Sequence, residues 1–388
     1  MVSQEMNDMA SRCIKCALCL PTCPSYQKIL LEWASPRGRI QLAKHFMDGK
    51  EDETDGFTKE LAESFYTCTA CNACTYACPS QIRAEEIIQE VRGKLFAFGA
   101  APEPVMALRE SILTADNVYA GKREDRIAIY PSSIKKRMKA GELKGRAQTV
   151  LFMGCVSSYL DMKIVPGLFK ILDAAGVDYT LLGEEEVCCG YPLYLMGDEE
   201  RFKQNAKSLM DRLKKTGAKE LLTPCAGCYK TFRKYYPELE DLGVEVLHSV
   251  HYIQRLIEQR RIELTINLEK TVTYHDPCDL GRTFEIFDEP REILKAIPNI
   301  DFVEMNRNRL MARCCGGGGN VMALDPGLAA DMAAVRVKDA VEVDAEIIVS
   351  GCSTCKDNLR KGVKAIHKDE RPKIKVMDIT EIVANAIE

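Results

Sequence analysis

The sequence predicts an α+β multidomain protein, in which a helical N-terminal domain precedes two tandem α/β domains. With 388 residues, the chain is long enough for two or three domains with their own cores. Near the N-terminus, helical segments separate two dense cysteine runs. Beyond residue 148, short apolar strands alternate with helices, and five cysteines recur at matched spacing in two successive copies.

The composition is that of a globular protein without a general affinity for nucleic acid. Hydrophobic residues make up 46% of the chain, and the formal net charge is only −4. No apolar run approaches the roughly 18 residues of a membrane span, and the N-terminus is too polar for a signal peptide. We expect a cytoplasmic protein with no transmembrane segment of its own, associated with a membrane, if at all, through a partner.

The 18 cysteines are better explained as metal ligands than as disulfides. Disulfide scaffolds are typical of small secreted chains, whereas this chain is large and lacks an export signal. Every cysteine also falls into one of four motifs with the spacing of metal sites, and none is left over. The sequence therefore predicts sulfur-ligated metal centres and redox chemistry.

Two cysteine runs predict two [4Fe–4S] cubanes. Residues 13–24 read Cys-x-x-Cys-x-x-Cys-x-x-x-Cys-Pro, and residues 68–79 repeat the run. In such runs the first three cysteines ligate one cluster and the fourth ligates the other cluster. Zinc sites take their four ligands from two short pairs and do not need this arrangement. The predicted ligands are Cys13, Cys16, Cys19 and Cys78 for the first cubane, and Cys68, Cys71, Cys74 and Cys23 for the second.

The segments around these runs are predicted to be helical. Residues 35–39, Ser-Pro-Arg-Gly-Arg, open a helix over residues 40–47, because proline favours the first turn. Further helices are expected over residues 57–66, 84–98 and 103–115. Residues 1–120 are therefore predicted to form an α-helical ferredoxin domain, similar to the iron–sulfur subunits of fumarate reductases.

Residues 121–148 are predicted to be a basic linker. They contain nine lysines and arginines against three acidic residues. One interpretation is a solvated connector between domains. The other is a docking strip for an acidic partner or for anionic lipid.

The rest of the chain spells one cysteine pattern twice. Each copy has an isolated cysteine, an adjacent pair followed by glycine, and a Cys-x-x-Cys pair. The first copy contains Cys155, Cys188, Cys189, Cys225 and Cys228, and the second contains Cys278, Cys314, Cys315, Cys352 and Cys355. Five thiols at matched spacing predict two equivalent metal sites.

Strands and helices alternate around these cysteines. The predicted strands are 149–153, 177–182 and 220–223 in the first copy, and 271–274, 301–305 and 345–349 in the second. This alternation predicts two tandem Rossmann-like α/β domains, residues 149–262 and 263–388, which we name CCG domains after their Cys-Cys-Gly sequences. The cysteines follow strand ends, where open α/β sheets bind ligands. Three strand ends can thus bring five thiolates to one crevice in each copy.

Five cysteines exceed the four that a cubane needs. They indicate either an unusual cluster or a four-ligand cluster with a free thiol. Residues 316–319 are four glycines, but no Gly-Lys-Ser/Thr of a phosphate loop follows them. These glycines are expected to let the backbone approach a cluster closely.

The whole chain resembles the family of heterodisulfide reductase D subunits, in which a two-cubane domain is fused to two five-cysteine domains. The resemblance rests on all four cysteine motifs and on residues 35–39, 191–192, 224–229 and 275–278. It implies that each five-cysteine set holds a noncubane [4Fe–4S] cluster. It also implies that electrons pass through the cubanes to these clusters, which reduce a disulfide to two thiols. Residues 352–355 lack the proline common in the family, which leaves room for a different substrate.

Similar repeats occur in glycolate and lactate oxidation subunits and in benzoyl-CoA reductase electron-transfer subunits. The alternative function is therefore an electron-transfer subunit without its own substrate. It would link a flavoprotein dehydrogenase or an electron-transferring flavoprotein to a quinone or to a larger reductase such as benzoyl-CoA reductase. Expected partners are redox subunits such as a flavoprotein, a cytochrome b or a larger reductase, and no nucleic acid.

Four polar residues carry specific expectations. His275 is expected either to donate a proton to a departing thiolate or to fix the turn at residues 276–277. His248 and His251 are expected to pack and cap rather than to bind metal. Arg282 is expected to meet an anionic substrate group or to tune the charge of a cluster.

Overall fold

The structure is a computed structural model that describes residues 4–47 and 55–388. Its N-terminal part is helical, as predicted. The helices are α1 (Gln4–Ser11), α2 (Pro24–Ile29), α3 (Pro36–Met47), α4 (Asp55–Tyr66), α5 (Ala73–Tyr76), α6 (Ala84–Ala97), α7 (Glu103–Ala115) and α8 (Ser132–Lys139). Helix α3 begins at Pro36, four residues before the predicted position. Proline suits the first helical position because it has no N–H group, and an N–H at this position would have no partner within the helix.

Helices α4 and α6 form much of the core of this helical domain. Phe65 and Tyr66 pack with Val91 and Leu95, and all four side chains are buried. Arg92, also on α6 and also buried, donates hydrogen bonds to the carbonyls of Phe65, Cys68 and Leu195. The first two carbonyls belong to the helical domain and the third to the first CCG domain, so this one side chain ties the two domains together.

Two parallel four-stranded sheets follow, which confirms the predicted α/β class of both copies. The first sheet has the strand order β2-β1-β3-β4 and the second the order β6-β5-β7-β8. The strands are β1 (Thr149–Leu151), β2 (Tyr179–Leu181), β3 (Glu220–Thr223), β4 (Glu245–His248), β5 (Lys270–His275), β6 (Ile300–Phe302), β7 (Ile347–Ser350) and β8 (Lys375–Asp378). The finer description of these domains as Rossmann-like stays a prediction.

Helices connect the strands of both sheets. Those of the first CCG domain are α9 (Cys155–Tyr159), α10 (Ile164–Ala174), α11 (Tyr191–Met196), α12 (Glu199–Thr216), α13 (Ala226–Lys230) and α14 (Ser249–Glu258). Those of the second are α15 (Cys278–Phe284), α16 (Glu289–Lys295), α17 (Val321–Leu324), α18 (Pro326–Val341), α19 (Ser353–Ala365) and α20 (Ile379–Ala386). Within the described ranges, no helix combines the length and the apolar character needed to cross a bilayer.

The fourth strand of each sheet, β4 or β8, was not predicted from the sequence. Both are four residues long and begin with an exposed charged residue, Glu245 or Lys375. Strand β4 runs directly into α14, so its apolar residues merge with those of the helix. His248 lies at this junction, where its Nδ1 accepts a hydrogen bond from the Val250 N–H (3.2 Å), and the expected capping role is therefore confirmed.

The basic segment 121–148 is not a solvated connector throughout. Arg126 is buried and forms an ion pair with Glu186 of the first CCG domain. Tyr130 and Ile134 are also buried, and the Leu143 carbonyl accepts a hydrogen bond from Thr180 Oγ1 (2.9 Å). The segment packs against the first sheet, while most of its other basic side chains face solvent.

A buried ionic cluster links the two CCG domains. Lys356 of α19 lies 2.6 Å from Asp161 of the first domain and also pairs with Glu381 of α20. Asp378 caps α20 by accepting a hydrogen bond from the Thr380 N–H (2.9 Å). Burial raises the pKa of Asp378 from 3.8 to about 7.

Replacing Asp378 by asparagine should stabilise the protein at alkaline pH. Because the folded pKa lies above the unfolded one, the wild-type contribution to stability is intact below about pH 4 and is lost as the pH rises through 7. An asparagine at this position would keep the cap without the buried charge. We expect the variant to gain up to about 4 kcal/mol in free energy of unfolding at pH 8, and clearly less at pH 5. Denaturant unfolding at both pH values measures this, and an equal gain at both would contradict the assignment.

Candidate functional site

The two four-cysteine runs fold into loops with the same backbone shape. In each loop, two residues at equivalent positions have positive φ: Lys15 (58°) and Ala17 (68°) in the first, Ala70 (52°) and Asn72 (62°) in the second. This conformation is costly for residues other than glycine, so its repetition indicates a functional constraint on the loop. No sequence signal marks this backbone shape, because none of the four residues is glycine.

The second run meets one cysteine of the first run around a small cavity. Cys68, Cys71 and Cys74 line this cavity together with Cys23. Arg39 lines it too, fully buried, with Nη1 3.8 Å from Cys23 Sγ. Burial raises the pKa of Cys68, and the positive charge of Arg39 opposes this effect.

The other three cysteines of the first run lie nearer the surface. Cys16 is exposed, and Cys13 and Cys19 are half-buried. Burial raises the pKa of Cys19 to about 11, and the negative charges of Cys23 and Cys13 act in the same direction. Cys78, the predicted fourth ligand of this set, is half-buried just beyond α5.

Each Cys-Cys-Gly motif depends on the backbone freedom of its glycine. Gly190 and Gly316 have φ of 83° and 80°, in a region that glycine occupies without steric cost. This turn directs the glycine N–H to the first cysteine of the pair. Gly190 N lies 3.4 Å from Cys188 Sγ, and Gly316 N lies 3.3 Å from Cys314 Sγ.

Helix N-termini hold the remaining cysteines. Cys225 Sγ accepts a hydrogen bond from the Cys228 N–H (3.4 Å) at the start of α13, and Cys352 Sγ accepts one from the Cys355 N–H (3.4 Å) at the start of α19. The isolated cysteine of each copy is the first residue of a helix, α9 or α15. Helix N-termini carry partial positive charge and stabilise negative charge nearby, which suits metal-bound sulfur at these positions.

The two five-cysteine sets line one cavity of about 340 Å³ between the CCG domains. Nine of the ten cysteines contribute to its wall: Cys155, Cys188, Cys189, Cys225, Cys228, Cys278, Cys315, Cys352 and Cys355. The tenth, Cys314, contacts the helical domain instead. A molecule bound in this cavity would therefore face both sets at once.

His275 is buried against the second set. One of its ring nitrogens and the sulfurs of Cys315 and Cys355 all lie within 4.8 Å of one another. Its Nδ1 accepts a hydrogen bond from Arg336 Nε (3.2 Å), so the ring proton lies on the other nitrogen, which faces Cys315. Burial lowers the pKa of His275, which favours the neutral form of the ring. A role in proton donation stays a prediction.

The expected alternative role of His275, fixing the turn at residues 276–277, belongs to another residue. The Asp276 carboxylate is held by Arg291, whose two terminal nitrogens lie 2.7 and 3.0 Å from its oxygens. Asp276 also accepts a hydrogen bond from the Arg309 N–H (2.8 Å). Arg291, the partner of Asp276, is 15 residues away in sequence. His275 was suggested only because it is the neighbour of Asp276 in the sequence.

The second five-cysteine set touches the second four-cysteine run directly. Cys71 and Cys314 form a thiol–thiol hydrogen bond, which lowers the pKa of Cys71 to about 6. Cys278 packs against the same group. Arg282 fixes this junction, because its guanidinium donates to the carbonyls of Cys71 (3.2 Å), Leu310 (3.0 Å) and Ala312. Arg282 is buried, each of its three side-chain nitrogens donates to a carbonyl, and it is not among the residues that line the cavity between the CCG domains.

The glycines at residues 316–319 explain how the second CCG domain comes so close to the helical domain. A Cβ atom on Gly318 would lie 2.5 Å from the Thr69 carbonyl oxygen, and one on Gly319 would lie still closer to the Cys68 carbonyl oxygen. The expected close backbone approach is present. It is made to the backbone of the second four-cysteine loop of the helical domain.

Gly318→Ala should therefore loosen this junction and slow electron transfer across it. We expect the rate of reduction of the five-cysteine sites to fall by about tenfold or more, because small displacements in a tight junction cost about that much. Stopped-flow reduction followed by absorbance measures it. Gly93→Ala on α6 is the matched control, since a Cβ there meets nothing within 4 Å; equal rates in the two variants would contradict the role of Gly318.

These cysteine groups have the chemistry of iron–sulfur ligands. All 18 cysteines are free thiols, and Sγ atoms approach as closely as 3.2 Å between Cys315 and Cys355. Thiolate clusters of this density suit iron–sulfur centres better than oxygen-preferring cations. The N–H donors of the Cys-Cys-Gly turns fit this use as well, because hydrogen bonds to sulfur tune such centres.

Comparisons with known proteins agree with this chemistry. The model of the cysteine-rich domain matches residues 149–233 and 272–360, and that of the 4Fe-4S dicluster domain matches residues 9–82. The D subunit of dihydromethanophenazine:CoB–CoM heterodisulfide reductase from Methanosarcina barkeri is 33% identical over 97% of this chain and 93% of its own length. Its counterpart from Methanosarcina mazei is 34% identical with the same coverage. The probable iron-sulfur-binding oxidoreductase FadF of Bacillus subtilis is 30% identical over 84% of this chain and 47% of its own length.

Proposed function

The chain belongs to the family of heterodisulfide reductase D subunits, and we propose that it reduces a disulfide to two thiols in the cavity between its CCG domains. The observation that carries this proposal is the shared cavity, because both five-cysteine sets face it. A disulfide has two sulfur atoms, and two facing thiolate-rich sites suit it better than one. The junction at Cys71 and Cys314 links this cavity to the rest of the cysteines.

Four clusters are proposed for the chain. Cys13, Cys16, Cys19 and Cys78 would hold one cubane, and Cys68, Cys71, Cys74 and Cys23 the other. The two five-cysteine sets would each hold a noncubane [4Fe–4S] cluster. When bound, these clusters supply one-electron carriers, of which two together provide the two electrons that a disulfide takes.

The reaction balances with two electrons and two protons. The sulfur–sulfur bond of R–S–S–R′ breaks, each sulfur gains one electron and one proton, and R–SH and R′–SH leave. The electrons come from a reduced redox subunit, which the exposed loop at Cys16 is placed to meet. The helix N-termini around the cavity stabilise negative charge on sulfur while the bond breaks.

The chain's own contacts favour an order for the two five-cysteine sets. The second set contacts the helical domain through Cys314 and Cys71. The first set meets the helical domain outside the two four-cysteine runs, where the Cys188 N–H donates a hydrogen bond to the Asp116 carbonyl (2.7 Å), and its Cys155 lies beside the buried Arg126 of the basic segment. We therefore expect the second set to receive electrons before the first.

Turnover with a chemical donor tests the proposal. The cluster-loaded protein is first reduced with titanium(III) citrate, and the donor is then removed. When bis(2-hydroxyethyl) disulfide is added to this reduced protein, two thiols should be released for each molecule of disulfide. Release of two thiols requires both electrons to reach the same substrate molecule. Clusters that stay reduced when the disulfide is added would contradict the proposal.

The second candidate function is an electron-transfer subunit without its own substrate. It is favoured by the exposed side chains Ile14 and Leu18 beside the exposed Cys16, which form a contact surface suited to protein partners. The same reduced protein would then be reoxidised by a quinone or a flavoprotein and not by a disulfide.

A further inference from the structure

One buried lysine connects the three domains close to their cysteines. Lys230, the last residue of α13, is 1% exposed. Its Nζ lies 2.9 Å from a carboxylate oxygen of Glu85, on α6 of the helical domain. The same Nζ lies 3.1 Å from a carboxylate oxygen of Asp279, on α15 of the second CCG domain. Because Lys230 itself belongs to the first CCG domain, its two ion pairs join all three domains at one nitrogen atom.

Each member of this Lys230 cluster, which consists of Glu85, Lys230 and Asp279, is attached to a different group of cysteines. Lys230 ends the helix whose start carries the Cys-x-x-Cys pair of the first set. Asp279 is the second residue of α15, which begins with the isolated cysteine of the second set. Glu85 accepts a hydrogen bond from Asn72 of the second four-cysteine run. The cluster therefore connects the three cysteine groups between which the electrons are proposed to pass.

The packing around Lys230 leaves little room for movement. Its ammonium lies 5.6 Å from the centre of the Tyr191 ring, and Tyr191 Oη donates a hydrogen bond to Asp279 (3.4 Å). A Cβ atom on Gly227 of α13 would lie 3.2 Å from the same ring. Tyr191, Gly227 and Asp279 all line the cavity between the CCG domains. A displacement of Lys230 would therefore also displace the wall of this cavity.

Stability alone is a weak reason for placing this lysine at the domain junction. Removing charged groups from water is costly, and apolar residues of the same volume often give equal or greater stability. Charge-assisted hydrogen bonds, in contrast, hold their partners at defined distances and directions. Helix α13 also runs directly into a π-helical turn, Thr231–Tyr235, a rare conformation that occurs frequently at functional sites. These observations favour a positional role for Lys230.

We propose that Lys230 is a positioning residue for electron delivery, which holds the second four-cysteine run and both five-cysteine sets at fixed distances from one another. The inference rests on the proposed function, because it concerns the electrons that reach the cavity. It adds a residue that is neither a proposed cluster ligand nor part of the cavity wall. It makes no demand on the chemistry of the substrate, so the two proposals can fail separately.

Lys230→Met tests this role, because it keeps a side chain of similar length and removes the charge. In the cluster-loaded chain with titanium(III) citrate, we expect reduction of the five-cysteine sets to slow at least about tenfold, since small displacements of reacting groups cost about that much. The initial reduction of the cubanes should keep its rate, and stopped-flow absorbance measures both phases. The EPR spectrum of the reduced chain should lose part of the splitting that arises from magnetic interaction between neighbouring clusters. Lys230→Arg, whose guanidinium has donors for both carboxylates, should restore most of the rate and of the splitting.

Arg109→Met is the control for the loss of a contact between domains. Arg109 of α7 also joins the helical domain to the first CCG domain, through an ion pair with Asp198 (2.6 Å). Neither residue belongs to a cysteine motif. This variant should therefore keep both the rate and the EPR splitting near their wild-type values. Equal effects of Arg109→Met and Lys230→Met, or wild-type values in Lys230→Met, would overturn the inference.

A second variant decides the matter if Lys230→Met does not fold. Glu85→Gln removes only the ion pair with the helical domain and leaves that with Asp279, so we expect a smaller fall in the rate, of about threefold. An unchanged rate and an unchanged EPR spectrum in Glu85→Gln would overturn the inference. Disulfide turnover by the wild type is measured separately. Its absence would overturn the proposed function, whereas the EPR splitting would still decide the role of Lys230.

Discussion

Cys315→Ser should abolish disulfide reduction and remove about four of about sixteen irons per chain. Cys315 Sγ lies 3.2 Å from Cys355 Sγ and accepts a hydrogen bond from His275. A serine oxygen is a harder and far more basic ligand, so it does not replace a thiolate at this position. Loss of residues that only support a metal ligand costs 10- to 100-fold in activity, so loss of the ligand itself should cost at least about 100-fold. Iron analysis and the turnover assay measure both effects.

The equivalent residue of the first set supplies the matched control. Cys189→Ser should also lose about four irons and the activity. Its second set should remain reducible, however, because the junction of Cys314 with Cys71 is intact. In Cys315→Ser, reduction of the first set should slow as well, since on the proposed order the first set receives its electrons from the second. A full iron content in Cys315→Ser would contradict the role of Cys315 as a ligand. If the remaining clusters were reduced in the same order and at the same rates in both variants, the proposed order of the two five-cysteine sets would be contradicted.

Arg282→Met should destabilise the folded protein by about 3 kcal/mol or more, because each buried carbonyl left without a partner costs about 1–3 kcal/mol. Arg282 is 4% exposed, and its guanidinium satisfies the carbonyls of Cys71, Leu310 and Ala312. Methionine has a similar length but no donor, so three carbonyls at the junction would lose their partner. Denaturant unfolding of the cluster-loaded protein measures the effect. We also expect slower electron transfer between the helical domain and the second CCG domain.

Arg309→Met separates this effect from the general loss of an arginine. Arg309 is 41% exposed by side chain and pairs with Asp288 at the surface. Exposed ion pairs of this kind contribute little to the free energy of unfolding. If both variants lost the same stability, the three-carbonyl junction at Arg282 would have no special role.

The cysteine spacing predicted much of the fold because it reflects local geometry. A run such as residues 13–24 wraps a single loop, and alternation of strands with helices fixes a parallel sheet. Strands β4 and β8 were not predicted, because each contains only a short apolar stretch next to a helix. The buried Arg126 escaped because its partner Glu186 lies 60 residues away, in a segment whose composition suggested exposure.

The junction between the domains could not be predicted from the sequence for a related reason. Cys71 and Cys314 belong to separate motifs, and nothing in either motif indicates contact with the other. The close approach at Gly318 and Gly319 was predicted, but its target was not, since a glycine run indicates only that something comes near. Both features depend on how folded domains pack, which short-range sequence patterns do not encode.

Metal analysis combined with EPR spectroscopy decides whether this chain holds four clusters around a thiol-binding cavity. The anaerobically purified chain should contain about sixteen irons and about sixteen acid-labile sulfides, as four clusters require. Its spectrum should change when a thiol or a disulfide is added, because the two five-cysteine sets face the cavity that would bind it. About eight irons per chain, with a spectrum that does not respond to thiol or disulfide, would contradict both the cluster assignment and the proposed reaction.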